Sequence, residues 1–202
     1  MKALVIIDMQ NDFMPGGALA VPGGDQIIPL VNKLQEKFEL VIATQDWHPE
    51  NHISLAKNHL GKNEFESIQV EGIKQTLWPA HCIQNTSGAD FHKDLQTEKI
   101  EAIFRKGTNP KIDSYSGFYD NAHRKSTGLS GYLKEKGVTS IYFCGLAAEY
   151  CVGYSVLDAL TEGFKATLFE DATRALNEDA FEATKEQILD KGGRIRLAED
   201  IL

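Results

Sequence analysis

Apolar residues arrive along this chain in short runs set between stretches of helical spacing. Ala3–Ile7, Leu40–Thr44, Ile100–Phe104 and Ile141–Cys144 are compact and rich in β-branched and aliphatic side chains. Runs this short and this apolar predict strands rather than helices, with Ala3–Ile7, Leu40–Thr44 and Ile141–Cys144 buried in the sheet. Ala166–Phe169 reads as a fifth strand and Arg194–Leu197 as a last, edge strand. Between them Ile27, Leu30, Val31, Leu34 and Phe38 recur on one helical face, with Asp25 placed as a cap. Leu129–Lys136, the segment carrying Val152, Val156 and Leu160, and Ala175–Leu189 predict three further helices. Strands alternating with helices imply right-handed crossovers and a three-layer α/β/α architecture around a central, mostly parallel six-stranded sheet. No repeat, low-complexity tract or linker interrupts the pattern, so residues 1–202 are expected to form one domain.

Long irregular stretches break this alternation after the first three strands: Met9–Gly24, Glu50–His92 and Gly107–Asn121. Long loops in compact domains tend to carry function, and parallel sheets bind ligands at the carboxyl ends of their strands. Asp8 ends the first strand, Asp46 follows the second, Lys106 the third and Cys151 the fourth. Four chemically able side chains are thereby aimed at one rim.

Composition narrows the partner. A net charge of -8 and a pI near 5.3 argue against nucleic acid and anionic membrane surfaces. Three cysteines, Cys82, Cys144 and Cys151, do not make a disulfide framework and suit a reducing compartment. The opening apolar run is too short for a signal peptide or a membrane span. These features predict a soluble cytoplasmic protein, with a homo-oligomer left open.

The chemistry available at the rim falls into two groups. Cys151, in the first turn of a helix, meets unpaired N–H groups and the positive end of the dipole, which favour a thiolate. Asp8 is placed to take the thiol proton, Lys106 to favour the charged forms, and the backbone N–H groups of Ala147 and Cys151 to hold an oxyanion. Together they suit acyl transfer through a thioester. The second group is D-W-H-P-E-N-H at Asp46–His52, joined by W-P-A-H-C at Trp78–Cys82. Asp46 and His48 project to one side of extended chain, and His81 completes a set of two imidazoles and a carboxylate. Such a set suits one divalent transition ion, zinc first, with iron or manganese as alternatives. His52 is either a fourth ligand or a loop-stabilising histidine. Cys82 and Cys144 read as packing residues, and His59, His92 and His123 as surface residues.

Six motifs in order, D-M-Q-N-D-F (Asp8–Phe13), T-Q-D-W-H-P-E-N-H (Thr44–His52), L-W-P-A-H-C (Leu77–Cys82), Lys106-Gly107, Y-S-G-F (Tyr115–Phe118) and G-L-A-A-E-Y-C (Gly145–Cys151), span nearly the whole chain. They resemble the nicotinamidase branch of the isochorismatase-like cysteine hydrolases. The resemblance implies that fold, and hydrolysis of nicotinamide, and of pyrazinamide, to the acid and ammonia in NAD salvage. It implies a triad of Asp8, Lys106 and Cys151, and metal ligation by Asp46, His48 and His81, with His52 a ligand in some members only. It also implies that Phe13, Trp78 and Tyr115 sandwich the substrate ring and that the Leu146–Ala147 peptide is cis. Leu55 departs from the family, where many members have phenylalanine. A sibling hydrolase acting on isochorismate or a ureido substrate need not have D-W-H with W-P-A-H-C. A non-catalytic nucleotide-binding module would need a G-x-G-x-x-G run after the first strand, which is absent.

Overall fold

The computed structural model describes residues 1–202. Eight strands follow one another as β1 (Lys2–Ile7), β2 (Leu40–Asp46), β3 (Ser67–Val70), β4 (Ile73–Thr76), β5 (Ile100–Lys106), β6 (Ser140–Leu146), β7 (Lys165–Arg174) and β8 (Arg194–Arg196). Four helices intervene: α1 (Ile28–Gln35), α2 (Leu129–Glu135), α3 (Gly153–Thr161) and α4 (Glu178–Asp190). Six strands form one sheet in the order β5-β2-β1-β6-β7-β8, and every neighbouring pair is parallel. The sheet is thus wholly parallel where the sequence predicted it mostly so.

Strand alternation splits the core in two. Leu4 and Ile6 face a cluster that includes Val31 and Leu34 of α1. Val5 and Ile7 face the opposite cluster, with Leu133 of α2, Val156 of α3 and Ile188 of α4. Both sheet faces are therefore covered, which is why Ala3–Ile7 of β1 and Leu40–Ala43 of β2 are unbroken apolar runs. No helix is long and apolar enough to cross a membrane.

The chain leaves β1 toward β2 on one side and later leaves β6 toward β7 on the other, so the winding reverses between β1 and β6. At such a switch point the two connections diverge and open a crevice. Ile7 is the register partner of Gly145, and a Cβ on Gly145, whose φ is +115°, would collide with the Ile7 backbone. Only glycine admits this approach, and it holds the ends of β1 and β6, and hence Asp8 and the Cys151 turn, together. The Leu146–Ala147 peptide is cis.

Several predicted boundaries move. Asp25 does not cap α1; it lies in a 3-10 turn, Gly24–Ile27, that leads into the helix without a side-chain cap. The last helix begins at Glu178, not Ala175, because Asn177 accepts the Ala180 N–H at 2.8 Å. β5 runs on past Phe104 and ends at Lys106. The stretch Glu50–His92 contains the antiparallel ribbon β3–β4, which the sequence analysis read as irregular. Its signal was present in the alternation S-I-Q-V-E-G-I-K-Q-T around Glu71-Gly72, both at positive φ. Leu55 is fully buried and pairs with Trp78.

Candidate active site

Strand ends at the switch point bring the four predicted rim residues into contact. Lys106 Nζ lies 2.8 Å from Asp8 Oδ2 and 2.9 Å from Asp46 Oδ1. It also donates to the Ser114 carbonyl at 3.1 Å and lies 3.3 Å from Cys151 Sγ. Asp46 and Lys106 meet because they are register partners across β2 and β5. Asp8, at φ +48°, turns out of β1 so that Thr44 Oγ1 donates to its Oδ1 at 2.6 Å. Its Oδ2 meets the Lys106 ammonium as a close ion pair and takes no further donor.

Electrostatics follow from burial. Burial would lower the Lys106 ammonium, but Asp46 and Asp8 reverse this and hold it well above the ordinary lysine value. Burial raises the Asp8 carboxyl above its usual value in spite of Lys106. Burial also drives the Cys151 thiol well above the ordinary cysteine range; Lys106 opposes this, while Asp8 and Asp46 add to it. Cys151 lies in the first turn of the helical segment, as its place after β6 predicted; that turn is a wide π-type one, Ala148–Val152, running directly into α3. Buried there, its thiol needs a proton acceptor, and Asp8 shares the Lys106 ammonium with it.

The turn carrying Cys151 is tied on two sides. Ser155 Oγ donates to the Cys151 carbonyl at 2.6 Å and accepts from Gly117 N at 2.8 Å. Glu149 accepts the N–H groups of Asn177 and Leu176, at 2.7 and 3.2 Å.

Asp46, His48 and His81, all buried, present donor atoms within 4.8 Å of one another. His48 Nε2 is 3.1 Å and His81 Nε2 3.5 Å from Asp46 Oδ2. Each histidine has its Nδ1 on a carbonyl, Gly107 O at 3.1 Å and Pro79 O at 2.7 Å. A carbonyl can only accept, so each Nδ1 carries a proton, and each Nε2, turned to Asp46, is the atom that would bind an ion. That is the arrangement a divalent ion requires, and the donor set fits one. Gly107, at φ +65°, allows the close approach: a Cβ there would lie 2.6 Å from His48 Nδ1. His52 stacks on His48 with ring centroids 4.3 Å apart. Its Nδ1 is 2.7 Å from Ser54 Oγ and its Nε2 3.3 Å from the Ile112 carbonyl, so both nitrogens are engaged.

A cavity of about 30 Å³ opens beside these groups, lined by Cys151, Ala147, Asp46, His48, His81 and the predicted aromatics Phe13, Trp78 and Tyr115. Its remaining walls, Leu19, Asp113, Tyr150 and Leu176, were missed from sequence. Tyr150 adjoins Cys151 in the G-L-A-A-E-Y-C motif and packs edge-on against Trp78 (4.9 Å) and Tyr115 (5.4 Å); an aromatic beside the candidate nucleophile was its available signal. Gln10 was quoted in a motif without a role, yet it clamps the Asp46 backbone, accepting its N–H and donating to its carbonyl, both at 2.8 Å. Cys82 and Cys144 are buried and unpaired. His123 is exposed and pairs with Asp158 at 3.2 Å; His59 and His92 are half-buried.

A wholly parallel, doubly covered sheet with this cluster at its switch point defines an α/β enzyme class. The sequence profile of the isochorismatase domain matches residues 2–200, and the chain belongs to the isochorismatase family. It is 47% identical over 175 residues to a nicotinamidase of Acinetobacter baylyi, covering 87% of this chain and 82% of that one. A solved structure of a nicotinamidase/pyrazinamidase from Acinetobacter baumanii superposes with a TM-score of 0.97 at 46% identity, covering 100% of this chain and 98% of that one. A pyrazinamidase of Pyrococcus horikoshii in complex with zinc gives 0.80 at 42% identity, covering 97% and 98%.

Proposed function

We propose that this chain is a nicotinamidase, an amide hydrolase that converts nicotinamide and water to nicotinate and ammonia in NAD salvage and accepts pyrazinamide as a second substrate. The observation that carries the reading is the convergence of Asp8, Asp46 and Cys151 on Lys106 Nζ, at 2.8, 2.9 and 3.3 Å, beside an aromatic cavity. Nicotinamidase relatives at 47% and 46% identity support the substrate. Residues 1–202 act as one catalytic unit in a reducing, cytoplasmic setting.

Asp8 takes the Cys151 proton as the thiolate attacks the carboxamide carbon. Lys106 compensates the charge passed between them. The backbone N–H groups of Ala147 and Cys151 hold the oxyanion. Asp8 returns the proton to the departing ammonia, leaving a thioester, and then draws a proton from the water that cleaves it. Phe13, Trp78 and Tyr115, joined by Tyr150, hold the ring. Asp46, His48 and His81 would bind one divalent ion, zinc in the first place, which supplies a Lewis-acid contact for the pyridine nitrogen. With both nitrogens engaged, His52 supports His48 from behind rather than serving as a fourth ligand.

The test is ammonia release from nicotinamide by the wild type and by Cys151→Ala. The expected result is activity in the first and a loss of roughly 10⁴-fold or more in the second. Comparable rates in both would remove the nucleophile.

A further inference from the structure

The ribbon β3–β4 lies outside the six-stranded sheet, and the face it turns inward carries Ile68, Val70, Ile73 and Gln75. Ile68, Val70 and Ile73 are only half-buried, while the one buried residue of its two strands is Gln75, 3% exposed. A docked ribbon ordinarily buries its apolar face. Here that face also delivers an amide.

Gln75 Nε2 donates to Asp113 Oδ2 at 3.0 Å and to the Thr76 carbonyl at 2.7 Å. Asp113 is itself buried, lines the cavity, and accepts the Ser114 N–H on Oδ1 at 2.8 Å. One donor thus occupies each carboxylate oxygen, and a second lone pair on each remains for the cavity. Asp113, His48 and His52 bring donor atoms within 4.8 Å of one another. At the turn of the ribbon Glu71 pairs with Arg124, a second tie to the loop that follows Asp113. Gln75 thus holds in place a buried carboxylate that lies close beside the His48/His52 pair without bonding to it, and nothing in the proposed reaction uses this outer end.

We infer that Gln75 is a positioning residue: carried inward by the ribbon, it fixes the Asp113 carboxylate against the His48/His52 pair and so sets the affinity of the neighbouring centre for its divalent ion. The inference rests on the metal centre proposed above. Without Gln75 the Oδ2 side of Asp113 loses its side-chain donor in a site shielded from water, and the carboxylate is free to rotate away. Outer partners of this kind are worth about 10–100-fold in metal affinity.

The zinc dissociation constant, measured on the full chain by competition with a chromophoric chelator, tests this. The proteins are wild type, Gln75→Leu, Gln75→Glu, Asp113→Asn and the Gln75→Leu/Asp113→Asn pair. The expected result is a weakening of about tenfold or more for Gln75→Leu alone but less than about twofold when it is added to Asp113→Asn, because the two act along one path. The visible spectrum of the cobalt-substituted protein should change in both single variants. Equal weakening in both backgrounds, or a lowered melting temperature with unchanged affinity and spectrum, overturns the inference. If Gln75→Leu does not fold, Gln75→Glu, which keeps the shape and replaces the donor by an acceptor, is judged by the same criteria. A wild-type chain that binds no divalent ion overturns the metal centre itself; one that binds it while the Gln75 variants match it overturns only the role of Gln75.

Discussion

Replacing Lys106 by methionine keeps the length of the side chain and removes its charge. The wild-type ammonium is fully buried and neutralises two carboxylates at 2.8 and 2.9 Å. Removing one partner of a buried ion pair costs about 3–5 kcal/mol, because the remaining charges stay desolvated without compensation. For a chain of this size that corresponds to a fall of about 6–20 °C in Tm. Activity should fall roughly 10³-fold or more, equal to about 4 kcal/mol of barrier, since Cys151 loses the one charge that opposes its raised pKa. The effect also has a pH signature. Lys106 titrates above its unfolded value, so its contribution is complete below about pH 10.5 and is lost as pH rises through the folded value. On the acid side the penalty in the variant shrinks once Asp8, already raised by burial and raised further without Lys106, takes up a proton. Thermal unfolding followed by circular dichroism between pH 7 and 5, beside an ammonia-release assay, reads all three. A folded variant that melts within about 2 °C of wild type at pH 7, or a stability gap that widens toward pH 5, would refute the reasoning.

Gly145→Ala should destabilise the protein by about 3–4 kcal/mol, because its Cβ meets the Ile7 backbone at a positive φ; a melting curve like that of wild type would show that the strand ends can part without cost. Tyr150→Ala should raise the KM for nicotinamide about tenfold with a smaller change in kcat, since it removes one aromatic wall of the cavity, and steady-state kinetics separate the two. Dialysis against a chelator should abolish ammonia release, and zinc, iron or manganese should restore it. His81→Ala should lose the ion at metal concentrations that saturate wild type, as measured by elemental analysis.

Much of the site was legible because its residues sit where local rules are strong. Asp8 and Asp46 stand at the ends of buried apolar runs and Lys106 at the end of the half-exposed edge strand β5, and a parallel sheet sends such ends to one edge. Asp113 and Gln75 were not legible as site residues: Asp113 lies in a stretch without period and Gln75 in a short alternating hairpin with no mark of a site, and each matters only through a partner 38 positions away. The surroundings of Cys151 were only half legible for a related reason. A helix end is a local feature that favours a thiolate, but burial beside two carboxylates, which pushes the thiol up, depends on three other strands. The cap assigned to Asp25 failed because a 3-10 turn extends the helix entry.

Hydrophobic spacing and motif order alone determined the α/β class, the six strands, the chemistry-bearing residue types and the likeness to a hydrolase family, because the 2.0 and 3.6 periods and the strand-end positions are written into neighbouring residues. Tertiary structure decided what depends on distance: the ion-pair geometry around Lys106, the imidazole protons set by the carbonyls of Gly107 and Pro79, and the reach of Gln75 into the site. Those are set by where the strands and the ribbon cross in space, which no run of adjacent residues records.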